Sequence, residues 1–304
     1  MCCPYPWAMH WDCQSGSHGN ALITIWTWSQ PPVLKDRVAV VEPVVSIKNL
    51  ELNLSGQEIL RDISFDLREG EYVCLVGPNG SGKTSLLRCL IRFYAQWQGQ
   101  VMVLGRPLGS LSQKQLARYL AYLPQTDGVA PPYTVEDFVL MARYPFANPF
   151  LPPSPEDRRA AEAALRMTDL WTFRHRVMRT LSGGERQKAY LAGALAQQAR
   201  VLLLDEPTTF LDMPHQEEVR GMLQRINREW GVTILAVTHD LNAAALSAHR
   251  ILALRGGMLV FSGSPDEFMT TDVVKTVFGF SPHFVRHPQV HVPMIVPSPP
   301  GGVL

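Results

Sequence analysis

From Val44 onward short apolar runs alternate with amphipathic stretches, so strands and helices are expected to take turns along the chain. Val44 to Leu54 and Ile59 to Leu67 alternate apolar and polar positions, which predicts an antiparallel pair turning at Ser55-Gly56-Gln57. Tyr72-Val73-Cys74-Leu75-Val76 is continuously apolar, as a central strand covered on both faces would be. A helix from Lys83 to about Arg92 follows, then strands at Gln100 to Leu104 and Leu120 to Leu123. Apolar strands return at Arg200 to Leu204 and Thr233 to Val237, with helices over Pro214 to Trp230 and Asp240 to Ser247. Ile251 to Leu254 and Met258 to Phe261 flank Gly256-Gly257, a hairpin signal, and Ser264-Pro265-Asp266-Glu267 reads as the capped start of a further helix.

Two stretches break this alternation. Residues from about 126 to 180 are helical in pattern and poor in strands. Thr134-Val135-Glu136-Asp137 has the form of a helix start, and Ser154-Pro155-Glu156-Asp157 offers an N-cap, a proline at the first helical position and early acids. The rigid aromatic run Tyr144 to Pro153 lies between them. A helical insert within an α/β chain predicts a separate lobe. Residues 1–43 show neither period, and are expected to be a disordered extension or upstream sequence translated only on paper, with initiation at Val33, Val38 or Val40. That leaves an α/β domain over 44–263, then 264–304 as a helical segment with a loose tail.

Composition narrows the partners. Of the 304 residues 46% are hydrophobic, an ordinary globular fraction, and Lys+Arg 28 against Asp+Glu 27 leaves a net charge of +1. There is no global basic field to hold nucleic acid or an anionic membrane, and no nucleic-acid partner is expected. No run approaches the roughly eighteen apolar residues of a membrane-spanning helix, so any membrane role comes through another chain. Of the five cysteines, Cys2, Cys3 and Cys13 crowd the start while Cys74 and Cys89 fall in a predicted strand and helix. Neither a disulfide framework nor a paired zinc site fits, and a reducing cytosol is the simpler setting.

Four predicted strand ends carry polar chemistry. Gly77-Pro78-Asn79-Gly80-Ser81-Gly82-Lys83-Thr84 follows a strand and opens a helix, where backbone N–H groups can cradle phosphates. Lys83 supplies a point charge for the β/γ-phosphates and Thr84 a hydroxyl for Mg²⁺. Asp205, ending another strand, can hold the Mg²⁺ hydration shell, and Glu206 can accept a proton from an attacking water. Gln125 could reach the metal or that water, and His239 a γ-phosphate. Any one of these is unremarkable alone; the combination points to one site. A second anion-binding helix start, Leu181-Ser182-Gly183-Gly184-Glu185-Arg186-Gln187, has no use for the same nucleotide, which suggests that two copies meet across shared ligands.

Taken together, the chain resembles an ATP-binding subunit of an ABC transporter. Gly77 to Thr84 is similar to the Walker A motif, with Ser85 beside it, Gln125 to the Q-loop, Leu181 to Gln187 to the signature, Val201 to Glu206 to the Walker B segment, Leu211-Asp212 to the D-loop and His239 to the switch histidine. The resemblance implies a P-loop NTPase core with an antiparallel β subdomain and a helical insert lobe. It further implies ATP and Mg²⁺ (Thr84, Gln125 and Asp205 near the metal), and a head-to-tail homodimer or paired ATPase. Ser182 and Gly184 would then close on the partner's γ-phosphate, with Gly183 in the same loop, while Glu206 polarises water, His239 senses the γ-phosphate and Asp212 links the two sites. Membrane permease subunits would dock near the Q-loop and the insert, with a substrate-binding protein engaged indirectly, so the chain would sit peripherally on the cytoplasmic face of the membrane.

Phe210-Leu211-Asp212-Met213-Pro214-His215-Gln216 is similar to the ATPases that serve ferric siderophore, haem and cobalamin importers. Soluble ABC ATPases of cofactor assembly or of nucleic-acid and ribosome work, nucleotide-gated modules without hydrolysis, and the ATPase of a different ABC importer or of an exporter are the competing readings. Near-neutral charge and a single cassette disfavour the first, and intact Glu206 and His239 the second. Two positions depart from the family. Gly193 stands where many relatives carry Arg, at a helix cost of about 1 kcal/mol relative to Ala, and no function is assigned to it. Leu54 occupies the position of the usual adenine-stacking aromatic, which forgoes about 1 kcal/mol by analogy with aromatic pairs. Leu54→Tyr is therefore expected to tighten ATP binding in a fluorescence titration; unchanged affinity would show that another residue meets the base.

Overall fold

The structure, a computed structural model, describes residues 42–125, 130–148, 151–289 and 291–296. Its elements run β1 (Val45–Leu54), β2 (Gln57–Leu67), β3 (Tyr72–Val76), α1 (Lys83–Leu90), β4 (Trp97–Val103), β5 (Arg106–Pro107), α2 (Gln113–Leu116) and β6 (Leu120–Leu123). Then come α3 (Val135–Met141), α4 (Pro155–Met167), α5 (Gly183–Ala196), β7 (Val201–Asp205), α6 (Met213–Trp230), β8 (Thr233–Val237) and α7 (Leu241–Ser247). β9 (Arg250–Arg255), β10 (Met258–Gly263), α8 (Pro265–Phe268), α9 (Thr271–Phe278), β11 (His283–Arg286) and β12 (Pro293–Val296) complete the order.

Two sheets share the core. Among the described residues a four-stranded antiparallel sheet runs β2-β1-β4-β5, and a six-stranded sheet runs β10-β9-β3-β8-β7-β6. In the latter β6, β7, β8, β3 and β9 are parallel and β10 closes the edge antiparallel to β9. Leu54 pairs with Gln57, so the first hairpin turns on Ser55 and Gly56 alone, both at positive φ, and Gln57 belongs to β2.

The continuous apolar runs of β3, β7, β8 and β9 make sense only with both faces covered. Val73, Leu75, Val201, Leu203, Leu235, Val237, Leu252 and Leu254 face the antiparallel sheet and α1. The alternate residues Cys74, Val76, Leu202, Leu204, Ile234, Ala236, Ile251 and Ala253 pack with residues of α6, α7 and α9 on the other side. Burying both faces fixes the register, since a one-residue slip would exchange the two sets.

The helical insert has a core of its own, in which Val135 and Val139 of α3, Ala161, Ala164 and Leu165 of α4, and Ala189, Ala192 and Ala196 of α5 meet. A buried ion pair ties the three helices: Arg143 Nε donates to Asp157 Oδ1 at 2.9 Å, and its other arm donates to Ala196 O at 2.8 Å. Gly193 now has a packing reason. A methyl group there would stand 3.2 Å from a ring carbon of Phe138, a tight contact that the ring would have to ease by shifting, so the glycine favours the close approach of α3 to α5. The aromatic run at Tyr144 is anchored from outside the insert, because Arg118 Nε donates to Pro145 O at 3.0 Å and Lys114 Nζ to Ala147 O at 3.0 Å. Its Pro149 and Phe150 lie outside the described residues.

Beyond the expected helix at Ser264, the C-terminal region carries α9 and an antiparallel β11–β12 pair that the sequence reading did not include. Asn242 at the start of α7 grips β12: its Nδ2 donates to Ile295 O at 3.0 Å and its Oδ1 accepts from Ile295 N at 2.8 Å. Residues 1–41 and 297–304, on which the readings of a disordered extension and a loose tail mostly fell, lie outside the described residues.

Candidate functional site

The glycine-rich loop connects the buried β3 to α1, and its shape depends on Gly77. At φ +146 a side chain there would run into the Leu254 carbonyl oxygen, so only glycine lets the loop leave the sheet along this path. Lys83 Nζ donates to the carbonyls of Gly77 at 2.8 Å and Pro78 at 2.9 Å, folding the ammonium back beneath the loop. Gly82, in the left-handed region, caps α1 without any side-chain bond, and no acid occupies the helix's first turn. The first N–H groups of α1 therefore face the loop uncompensated by protein charge. Ser81 Oγ is buried with no hydrogen-bond partner. A buried orphan hydroxyl costs stability unless a ligand satisfies it, and beside free helix N–H groups and a lysine that ligand is an anion.

The ends of β6, β7 and β8 bring the other predicted groups to the same place. Thr84 Oγ1 donates to Asp205 Oδ1 at 3.0 Å. Next along, Glu206 holds a positive φ of 51, uncommon for a residue with a side chain. Its Oε2 accepts from Gln125 Nε2 at 3.1 Å and from Thr209 Oγ1 at 2.8 Å, with His239 Nδ1 at 3.6 Å. Gln125 after β6 and His239 after β8 thus converge on the carboxylate oxygen of the residue that follows β7. His239 is 61% exposed while Glu206 is 18% exposed, so the imidazole is open to what enters from solvent.

Burial pushes Lys83 below the usual lysine range, with Glu206 and Asp205 pulling the other way. Burial likewise raises Asp205 above the usual carboxylate range, against its bonds from Thr84 and Tyr122. Both charged forms are disfavoured here. Among the described residues no group of three His, Cys, Asp or Glu side chains is placed to hold a metal ion by itself. A Mg²⁺ at this site would accordingly take Thr84 and Asp205 together with phosphate oxygens and water, a donor set suited to that ion. Gln125, the third predicted metal neighbour, is bonded instead to Glu206.

Three partners had no role in the sequence reading. Tyr122 OH donates to Asp205 Oδ2 at 3.2 Å, and burial, then Asp205, pushes its phenol up to about 12. Its position three residues before Gln125 was the available signal. Thr209 supports Glu206, and Gln187 at the end of the signature donates from Nε2 to Pro207 O at 2.7 Å.

The signature segment starts α5 as a capping box. Ser182 Oγ accepts from Glu185 N at 3.2 Å, and Glu185 Oε2 accepts from Ser182 N at 2.7 Å. The backbone bond from Ser182 holds the Glu185 carboxyl below its usual range. Gly183 and Gly184 form the first turn, with Gly184 buried. Asp212 caps α6, accepting from His215 N at 3.2 Å, and also meets His215 Nδ1. Leu54, expected beneath adenine, ends β1 half-buried against the antiparallel sheet's core.

Residues 60–209 match the ABC transporter family. Over 250 residues the chain is 37% identical to the iron(3+)-hydroxamate import ATP-binding protein FhuC of Bacillus subtilis, covering 82% of this chain and 93% of that protein. The chain belongs to the ABC transporter ATP-binding family. It is 36% identical over 280 residues to the hemin import ATP-binding protein HmuV of Thermobifida fusca, covering 92% and 95% of the two chains. The ferric enterobactin transport ATP-binding protein FepC of Escherichia coli is 34% identical over 250 residues, 82% of this chain and 92% of that one. Among solved structures, a chain from an inward-facing ABC transporter described as of metal-chelate type superposes with a TM-score of 0.74 at 26% identity, covering 85% and 99%. An ATP-binding cassette in a dimeric, post-hydrolysis state with ADP and Pi gives 0.63 at 27% identity, covering 72% and 98%. This ABC ATPase is therefore an enzyme of transport, an ATP-binding subunit whose hydrolysis is coupled to movement of a solute.

Ser81 separates nucleotide binding from folding in this ABC ATPase. Ser81→Ala removes a buried unpaired hydroxyl, so without nucleotide its Tm should equal or exceed that of the parent. With ATP the thermal shift should shrink, reflecting roughly fivefold weaker binding for one lost hydrogen bond of about 1 kcal/mol. An unaltered shift would show that Ser81 takes no part in holding phosphate.

Proposed function

We propose that this subunit powers uptake of an iron-siderophore, haem or cobalamin, working as a head-to-tail pair that closes on two ATP molecules beneath a membrane permease. The observation that carries this reading is the convergence of Gln125, Thr209 and His239 on Glu206, next to the buried pair Thr84–Asp205 and the loop holding Lys83. A carboxylate so braced suits a general base for water, and the loop with its free helix start suits a triphosphate. Gly77 to Ser85 would wrap the phosphates. Bound Mg²⁺ would offset their charge, held by Thr84 and Asp205. His239, open to solvent, would meet the γ-phosphate.

The second half of each site would come from the partner's Ser182-Gly183-Gly184 loop. Ser182 Oγ accepts from Glu185 N, which leaves its own proton free to donate to a phosphate oxygen. Phe210 and Met213, 73% and 75% exposed beside Asp212, are apolar surface that a second copy would cover. Permease contact would fall on the insert side, where Met141 at the end of α3 and Tyr144 on a loop already braced by Arg118 and Lys114 stand exposed. Membrane attachment through that contact, on the cytoplasmic face, accords with the absence of any long apolar helix among the described residues. The cargo class follows the names of the relatives and the Phe210 to Gln216 segment.

Glu206→Gln should bind ATP, lose at least about a hundredfold in turnover, as removal of a general base does, and accumulate an ATP-bound dimer on size-exclusion chromatography. Retained turnover would remove Glu206 from the role of base. In a strain lacking this subunit, uptake of labelled ferric siderophore, haem or cobalamin should fall to background for one of the three and return with the parent gene but not with Glu206→Gln. Undiminished uptake of all three would overturn the cargo assignment.

A further inference from the structure

His215 holds an unusual position between the two surfaces that a subunit would present to its partner's nucleotide. It is the third residue of α6, where its backbone N–H donates to the capping Asp212 as in any N-capped helix. Its ring then turns back as well, so that Nδ1 meets the same Asp212 Oδ1. The rest of the ring lies on Gly184 of the signature. A methyl group built on Gly184 would come 2.7 Å from His215 Cγ and 2.9 Å from Nε2, inside van der Waals contact. A side chain at Gly184 would therefore displace the His215 ring, which ties this glycine to a contact inside its own chain.

Neighbouring bonds lock the same junction. Gln187 Nε2 donates to Pro207 O at 2.7 Å, tying α5 to the segment after β7, and Gln216 Nε2 donates to Leu211 O at 3.0 Å, fixing the residue before Asp212. Between these two ties the His215 imidazole, 39% exposed at its side chain, joins Asp212 to the α5 start, and the ion pair of Lys188 with Glu218 at 2.7 Å links α5 to α6 further along. We propose that His215 is a positioning residue coupling Asp212 to Gly184, so that the signature helix start and the segment at Asp212 are set as one unit when a second copy approaches. The inference rests on the two-sided nucleotide site proposed above.

The test uses the full chain in a Glu206→Gln background and measures the ATP concentration giving half-maximal dimer by light scattering. His215→Ala should raise that concentration about tenfold. Its binding of a fluorescent ATP analogue, at protein concentrations too low for dimer, should stay within about twofold of the parent, because the ring meets Asp212 and Gly184, on the side that would face the partner's nucleotide. The decisive measurement is a double-mutant cycle between Gly184→Ala and Asp212→Asn. Contacting groups couple and independent ones add, so the two should depart from additivity by about fivefold with His215 present and by less than about twofold with His215→Ala. His215→Phe, which keeps a ring on Gly184 but cannot bond Asp212, guards against loss of fold and should also abolish the coupling at unchanged Tm.

If Glu206→Gln alone forms no ATP-dependent dimer, both this inference and the two-sided site fall. If it dimerises while His215→Ala dimerises at the parent concentration, or Gly184→Ala and Asp212→Asn add independently with His215 in place, only the role of His215 is overturned. Persistence of the coupling in His215→Phe would likewise overturn it.

Discussion

The site depends on keeping Lys83 and Asp205 in place although burial disfavours the charge of both. An ammonium and a carboxylate taken out of water are costly unless each is paired and hydrogen-bonded. Lys83 is held by the carbonyls of Gly77 and Pro78, Asp205 by the hydroxyls of Thr84 and Tyr122. These bonds fix geometry without neutralising either group. A polyphosphate would pair with Lys83 and a divalent cation with Asp205, each offsetting a charge that burial disfavours.

The architecture explains why two such charges can be sustained. Parallel strands β3, β7 and β8 end at one edge, and each is buried along its whole length. Polar residues must therefore wait until the strand ends, where Gly77, Glu206 and Thr238-His239 begin their loops. A sheet of this kind places loops from different strands side by side at its carboxyl edge. The antiparallel sheet covers one face and α6, α7 and α9 the other, which leaves this edge free.

Much of this was legible in the chain because it rests on local rules. Five-residue apolar runs announce doubly covered strands, Gly256-Gly257 announces a hairpin, and Thr134 and Ser154 cap the helices they were expected to cap. Candidate groups at the strand ends were legible for the same reason, since a polar residue after an apolar run has few places to go. What was missed depends on contacts between distant segments. Tyr122 reads as one more apolar strand residue until β6 pairs with β7 beside Asp205. Gly193 reads as a defect until Phe138 is laid across it. The β11–β12 pair has no strong alternation, and its attachment comes from Asn242, some fifty residues away.

The segments that would face a second copy share one economy of bonding. Ser182 and Asp212 each cap a helix in their own chain, and each keeps unused capacity: the serine its hydroxyl proton, the aspartate its second oxygen. Capping orders these side chains before any partner arrives, so little rotamer freedom is left to lose on association. A free serine at the tip of a loop could make the same bond to phosphate, but it would lose that freedom at the moment of closure. Prior ordering would make closure of the proposed pair depend chiefly on the nucleotide between the two copies, as a step driven by ATP binding and released by hydrolysis would need.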